Sequence, residues 1–401
     1  KMNFKEAFPM LNKDLIYFDN GATTLKPKCV IEKMDDYYYN YCSNAHRGDY
    51  SISIKASNEY EDVREKVRKF INAKKMEEII FTSGSTESLN EIMYGYFRNH
   101  LTKDDEVLVT KSEHASLILP WYDLSNEIGI NVNYIPLNSD HTLTIDNVIN
   151  CITDKTKVIS ISHVSNVIGD IRPIDEIIKE AHKRGILVVL DASQSIGHIN
   201  VDVTNSDIDF MAFSAHKMLG PTGVGVLYAK YDLLKEIKPL KLGGGMNITF
   251  LSPKEIEYKE LPYLLEAGTQ NIAGVIGLGA AIDYINKIGL DNIEETILEL
   301  RNYMVEKMKK LKNVKIYNED IEGSTVVFNV NNVFAQDTAI YLDKHNICVR
   351  SGSHCAKKLE DEIGIKNTCR ISLYFYNTKE EIDKLLDVLN NDKILEESLG
   401  V

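Results

Sequence analysis

Residues 210–225 read F-M-A-F-S-A-H-K-M-L-G-P-T-G-V-G. Four apolar residues, Phe210 to Phe213, deliver Ser214, His216 and Lys217 to one point, and a turn carrying Gly220, Pro221, Gly223 and Gly225 follows at once. A lysine placed after a buried strand is costly unless it is deprotonated or bonded, and lysines of that kind form Schiff bases. The stretch reads in two ways: Lys217 carries pyridoxal phosphate (PLP), or it is a surface lysine in a β-hairpin.

Residues 185–192, G-I-L-V-V-L-D-A, form an apolar run ending in an acid, the pattern of a buried parallel strand with Asp191 at its carboxyl end. A pyridine nitrogen needs a carboxylate to keep its proton, so Asp191 suits the ring end of PLP. Gln194, three residues on, is placed to reach the phenolic oxygen. Taken alone, Asp191 is equally well a helix N-cap after a strand.

With both stretches read, D-A-S-Q-S at 191–195 and S-A-H-K-M-L-G-P-T-G at 214–223, the chain resembles the fold-type I, class V aminotransferase-like PLP enzymes. Among them it is similar to the group II (Suf-type) cysteine desulfurases, from about Tyr17 to about Thr378. The resemblance implies an α/β architecture. A large PLP-binding domain with a mainly parallel sheet spans residues 15–278, and a smaller α+β domain of residues 1–14 and 279–401 carries the catalytic-cysteine loop.

Composition sets bounds that agree. A chain of 401 residues suits two lobes. It is 44% hydrophobic and 26% charged, ordinary for a globular protein. No apolar run approaches the ~20 residues of a membrane span, and the first ten residues, K-M-N-F-K-E-A-F-P-M, lack the apolar core of a signal peptide. A cytoplasmic protein without a membrane partner is expected. Lysine and arginine number 46 against 59 acids, a net charge of −13, which argues against a nucleic-acid partner. The six cysteines contain no C-x-x-C pair, so no metal site and no disulfide framework is expected, and free thiols fit a reducing compartment.

Strand and helix patterns alternate from residue 78 to 230, as in a doubly wound sheet with ligands at the carboxyl ends of its strands. Strands are expected at 15–18, 78–82, 106–110, 132–135 and 158–163, and helices at 30–41, 57–72, 145–152 and 174–184. Residues 1–14 read as a loose arm or short helix, 241–250 as a flexible loop and 280–310 as one long helix opening the C-terminal lobe. In that lobe, strands at 314–317, 325–330 and 347–350 alternate with helices at 335–344 and 379–390, and the acidic tail after Asn390 reads as frayed.

Ser85 and Thr86 lie in S-G-S-T-E-S-L-N (83–90), where a strand turns into a helix. Free N–H groups and the positive end of a helix dipole suit a phosphate there, although the same residues also serve as a plain capping box. His114 follows the 106–110 strand; its flat imidazole can stack on a pyridine face and move protons, or be purely structural. The resemblance extends through Glu113, His114, Pro120 and Trp121, with Leu117 where asparagine is usual. It includes D-N-G-A-T-T (19–24), with Gly21 in place of alanine, and N-A-H-R-G (44–48), where His46 and Arg47 are either site residues or solvated loop. It implies that backbone near Ala22 meets the substrate and that Asn166 bonds both the substrate carboxylate and the phenolic oxygen. Ser214 and His216 then share the phosphate with Ser85 and Thr86. Thr269, in L-E-A-G-T-Q-N-I-A-G (265–274), reaches the phosphate cup of a neighbouring subunit, which implies a homodimer with shared active sites.

V-R-S-G-S-H-C-A at 349–356 decides the chemistry. Cys355 follows Gly352 and His354 on what reads as a mobile surface loop, with Lys357 and Lys358 beyond it. An idle buried thiol is the commonest state of cysteine; glycine, histidine and two lysines favour an exposed and partly ionised one. The stretch resembles the family's R-x-G-x-H-C-A, whose cysteine is the nucleophile, with Ser353 where histidine is common. Arg370, in C-R-I-S-L-Y-F-Y-N-T (369–378), matches a family arginine, and a guanidinium is a natural bidentate clamp for an α-carboxylate. Arg350 is a second cation near the cysteine.

The resemblance therefore implies a PLP-dependent cysteine desulfurase. L-cysteine binds with its carboxylate on Arg370 and Asn166, Lys217 moves the α-proton, and Cys355 takes the sulfur as a persulfide while L-alanine leaves. A sulfur-acceptor protein of iron–sulfur cluster assembly is the implied partner. The same fold serves selenocysteine lyases, transaminases and β-lyases, which need the lysine but depend far less on Cys355. A non-enzymatic scaffold would need neither, and the full set of Lys217, Asp191, His114, Arg370 and Cys355 argues against that role.

Overall fold

The structure is a computed structural model that describes residues 4–364, 366–391 and 393–399. Residues 1–3, 365, 392 and 400–401, which the sequence reading assigns to the small domain, lie outside the described residues. The strands are β1 (Ile16–Tyr17), β2 (Ile79–Thr82), β3 (Glu106–Thr110), β4 (Asn131–Ile135), β5 (Thr156–Ser162), β6 (Leu187–Asp191), β7 (Phe210–Ser214) and β8 (Gly225–Ala229), followed by β9 (Asn247–Ser252) and β10 (Glu255–Tyr258). The C-terminal lobe adds β11 (Val314–Ile316), β12 (Thr325–Val330), β13 (Ile347–Cys348), β14 (Arg350–Gly352) and β15 (Thr368–Ser372).

The main sheet has the order β2-β8-β7-β6-β5-β3-β4. Strands β3 to β7 run parallel, and β8 is antiparallel to both β7 and β2. Successive strand residues face opposite sides, and both sides are covered. Met211, Phe213, Val188, Leu190, Ile159 and Ile161 belong to one apolar cluster, with the helices Lys28–Asn40, Ser51–Phe70 and Ile272–Ile288. Phe210, Ala212, Val189, Val158, Val107 and Val109 belong to the other, with the helix Ala115–Ile128 and the helical stretch that starts at Ser85. This two-sided burial explains why β6 and β7 read as unbroken apolar runs. At roughly 1.5–3 kcal/mol for each fully buried large apolar side chain, it anchors the strand ends that carry the chemistry.

A four-stranded antiparallel sheet, β11-β12-β15-β14, forms the second lobe, and β1 pairs in parallel with β13. Its core gathers Phe18, Met304, Val326, Phe328, Ile371 and Leu385.

Several sequence expectations are corrected. The helix expected at 57–72 runs from Ser51 to Phe70, because residues 51–56 continue its buried stripe through Ser53 and Ala56. The single helix expected at 280–310 is two helices, Ile272–Ile288 and Leu290–Met308, bent by 74° at Gly289, whose φ of 91° an α-helix does not accept. The loop expected at 241–250 ends in the β9–β10 hairpin, which leaves Ile248, Phe250 and Leu251 exposed. The strand expected at 347–350 is divided between β13, which pairs with β1, and β14, which pairs with β15. The tail expected to fray forms a helix at Ile394–Leu399, tied down by the buried Ile394. The division expected at 278/279 falls inside the helix Ile272–Ile288, and we propose the kink at Gly289 as the boundary between the lobes. Among the described residues no single helix is long and apolar enough to cross a membrane.

Candidate active site

The loops that follow β2, β3, β5, β6 and β7 converge with the β14–β15 lobe on one cavity of about 410 Å³. Ala22, Ser85, Thr86, His114, Asn166, Asp191, Gln194, Ser214, His216, Lys217, Arg350, Cys355 and Arg370 all line it. Thr269 does not: its hydroxyl accepts from Asn44 Nδ2 at 3.1 Å, beside a separate hollow lined by His46 and Arg47. His46 and Arg47 are thus outside this chain's own cavity.

The turn after β7 presents Lys217. Gly225 makes the approach possible, because a Cβ there would stand 2.4 Å from Gly84 Cα. This contact brings the start of the Ser85 helix against Ser214, whose Oγ accepts from Ser85 N at 2.8 Å and donates to Ser85 Oγ at 2.9 Å. The Thr86 and Ser116 hydroxyls lie 2.8 Å apart. The first helical bond runs from Ser88 N to Gly84 O, and Ser85 N is taken by Ser214 Oγ, so the N–H groups of Thr86 and Glu87 precede the helical ladder and are free to serve an anion. Lys217 is half-buried where it meets the cavity, and burial pushes its ammonium down to about 8 against the upward pull of Asp191. None of the hydrogen bonds or ion pairs among the described residues involves its Nζ.

At the other end Asp191 is buried, with Oδ1 accepting from Ser193 N at 2.9 Å. Gln194 Nε2 donates to Gly21 O at 3.0 Å, which leaves its second amide proton for the cavity. His114 Nδ1 accepts from Ser116 N at 3.1 Å, so the imidazole proton sits on Nε2. Burial, then the nearby Lys217, pushes the His114 pKa below its usual value and keeps the ring neutral.

Arg370 is buried and held by Asn166 O at 2.7 Å and Asp19 Oδ1 at 3.1 Å, and its Nε has no partner. Burial pushes the Asp19 carboxyl up, opposed by Arg370 and Arg350. Gly21 packs directly on this clamp: a Cβ there would lie 3.1 Å from Arg370 Nη2 and 3.2 Å from its Cζ. Asn166 Nδ2 donates to His354 O at 2.7 Å.

The cysteine loop is anchored rather than mobile. Cys355 O accepts from Ala115 N at 2.8 Å, His354 O accepts from Asn166, and His354 Nε2 meets Thr368 Oγ1 at 2.9 Å. His354 and Cys355 both occupy the left-handed region, with φ of 54° and 58°, a conformation held only by such contacts. The thiol itself is exposed. The source of positive charge differs from the sequence reading. Burial pushes His354 down to about 3, so it is neutral, and Lys357 and Lys358 open the next helix and lie outside the cavity lining. Arg350 supplies the cation, with Nη2 at 3.9 Å from Cys355 Sγ.

These residues fit PLP on structural grounds. Free helix-start N–H groups and hydroxyls suit a phosphate, a buried carboxylate suits a ring nitrogen, and the Lys217 amine lines the same cavity. Ser162 Oγ, Ser193 Oγ and Arg370 Nε, all buried at the cavity, have no hydrogen-bond partner among the described residues. Sequence reasoning missed Ser83, Glu87, Ser116, Ser162, Ser193 and His354 in the lining. Glu87 accepts from Ser83 N at 2.8 Å and pairs with Lys241, so its carboxyl is held low despite its burial. Only the run of hydroxyl residues after each strand hinted at this polar lining.

Residues 16–385 match the aminotransferase class-V family. The chain is 43% identical over 394 residues to a probable cysteine desulfurase of Halalkalibacterium halodurans, covering 97% of each protein. It is 38% identical to a cysteine desulfurase of Thermococcus onnurineus solved in its apo form, with a TM-score of 0.93 and complete coverage of both chains. A cysteine desulfurase of Escherichia coli in an S-sulfonic acid form superposes with a TM-score of 0.92 at 33% identity, over 99% of each chain.

Proposed function

The chain belongs to the aminotransferase class-V family, and on that premise we propose how its cavity divides the work of a cysteine desulfurase. The enzyme is PLP-dependent and acts on L-cysteine. The observation that carries the assignment of roles is the convergence of a half-buried, unbonded lysine, a fixed arginine clamp and an exposed cysteine on one cavity. When bound, PLP supplies a conjugated electron sink for the pair left at the substrate's Cα.

Asp191 would accept from the ring nitrogen and keep its proton there, while the Thr86 N–H and the hydroxyls of Ser85 and Thr86, with Ser214 and His216, would hold the phosphate. Arg370 receives the α-carboxylate through Nε and its free Nη protons, beside Asn166. The Lys217 amine, kept basic but readily deprotonated by burial, takes the proton from Cα. His114, neutral with its proton on Nε2, would cover the ring and holds that proton for transfer within the cavity. The Cys355 thiolate attacks the substrate's sulfur. The Cβ–S bond breaks as the S–S bond forms, Cβ takes up a proton, and L-alanine and a persulfide on Cys355 are the products.

The resemblance of the 191–195 and 214–223 stretches to group II members supports the Suf-type subgroup, and the exposed thiol supports hand-over to a thiol of a sulfur-acceptor protein of iron–sulfur assembly. Six free thiols support a reducing, cytoplasmic setting. The exposed apolar residues Leu242, Ile248, Phe250 and Leu251, together with Thr269 beyond this chain's own cavity, support a homodimer in which Thr269 serves the other subunit's site.

The test is to incubate wild type and Cys355→Ala with L-cysteine and a reductant, and to measure sulfide and alanine. Equal yields of both from wild type, lost in the variant while bound PLP is retained, establish desulfuration through Cys355. Pyruvate in place of alanine, or an indifferent variant, indicates a β-lyase or selenocysteine lyase instead.

A further inference from the structure

The peptide joining His216 to Lys217 is gripped from the side away from the cavity. Four donors converge on the His216 carbonyl oxygen: Thr23 Oγ1 at 3.0 Å, Thr24 N at 3.0 Å, Thr24 Oγ1 at 3.2 Å and Lys26 Nζ at 2.7 Å. A carbonyl oxygen has two lone pairs, so the donors compete, and the shortest contact belongs to the charged one. The three ammonium protons of Lys26 have three oxygens to meet, since Nζ also reaches Thr23 Oγ1 at 3.3 Å and Thr24 Oγ1 at 3.4 Å.

The grip extends past the lysine. Thr24 Oγ1 accepts from Leu219 N at 2.9 Å, and Leu219 has a φ of 67°, strained for a leucine. Residues 23–26 thus hold the carbonyl just before Lys217 and the N–H two residues after it. Lys26 does not line the cavity and has no ion pair among the described residues. Burial pushes its ammonium down to about 7. A half-buried lysine without a counter-ion carries a cost, and the bonds to the Lys217 turn are what it gains.

We propose that Lys26 is a positioning residue, which holds the His216 carbonyl so that the Lys217 side chain enters the cavity in the orientation that bonds PLP. The proposal rests on the reading of Lys217 as the lysine that bears the cofactor.

Borohydride reduction and peptide mapping of the wild-type holoenzyme separates the two. PLP on another lysine overturns both; PLP on Lys217 leaves only Lys26 in question. Lys26→Met keeps the aliphatic stem and removes the charged donor, and Lys26→Arg restores one. The readouts on the holoenzymes are the ~420 nm band of lysine-bound cofactor and the rate at which PLP is lost to a carbonyl trap. Lys26→Met is expected to speed loss roughly tenfold, because a donor to the His216 carbonyl is gone, with Lys26→Arg restoring most of the wild-type rate. A Lys26→Met enzyme that melts earlier yet keeps the wild-type release rate overturns the proposal. Should Lys26→Met not fold, Thr23→Val removes another donor from the same carbonyl. It is then expected to speed release roughly threefold, and a wild-type rate there overturns the proposal instead.

Discussion

Arg350 Nη2 lies 3.9 Å from Cys355 Sγ, and it is the cation that faces the exposed thiol. The neighbouring histidine in the chain, His354, is buried and neutral and serves to anchor the loop on Thr368. The attacking atom is this sulfur, and the guanidinium is placed to donate to it. Arg350→Met is therefore expected to slow transfer of sulfur from L-cysteine to Cys355 by roughly three- to tenfold, read by single-turnover trapping of the persulfide. An unchanged rate at Cys355 would remove Arg350 from the chemistry.

The Arg370 clamp is positioned by Asn166, Asp19 and the missing side chain of Gly21. A lysine cannot reproduce the planar fork, so Arg370→Lys is expected to lower kcat/KM for L-cysteine by at least about a hundredfold. Gly21→Ala is milder. Its Cβ presses on the guanidinium at 3.1 Å, so the clamp shifts by a few tenths of an ångström. KM is expected to rise several-fold with kcat nearly unchanged, and steady-state kinetics of both variants checks this.

Lys217 imposes a pH dependence on the cofactor-free protein. Burial moves it from 10.5 to about 8 on folding. Below pH 8 it is charged in both states, and the folded protein bears the full cost of about 3 kcal/mol. Between 8 and 10.5 the unfolded state binds more protons, so stability rises with pH. Cofactor-free Lys217→Met is expected to melt above cofactor-free wild type at pH 7, with the gap closing as the pH passes from 8 to 10.5. A gap that stays constant over that range would contradict the assignment.

Glu113 and Arg172 form an ion pair with both side chains fully buried, and Glu113 Oε2 also accepts from Ser162 N at 2.9 Å. The pair braces the segment that carries His114. Arg172→Met leaves the buried carboxylates of Glu113 and Asp170 without their cation, and a loss of about 3–5 kcal/mol is expected. Adding Glu113→Leu is expected to recover part of it, because one of the two carboxylates is then gone. Urea unfolding of the single and double variants measures both.

Much of the fold and most of the cavity were legible in the chain because their signals are local. The apolar run 210–213 and the run 186–190 alternate their faces within a few residues, and the residue at each strand's carboxyl end follows directly. Ser85, His114, Asn166, Asp191 and Lys217 meet for that reason alone. Other features depend on contacts between distant residues, which no local pattern encodes. Arg172 reaches Glu113 across 59 positions of chain and Lys26 reaches His216 across 190. The cation beside Cys355 is Arg350 rather than His354 because the loop's anchors on Ala115 and Asn166 turn the histidine inward. The break at Gly289 carried a weak local signal, a single glycine inside a helical pattern, and its φ of 91° and the 74° bend there exist only in the folded chain. The sequence by itself determined which groups stand at the strand ends; the tertiary structure decided which of them are charged, which are held and which face the thiol, because burial and long-range hydrogen bonds exist only once the lobes have packed.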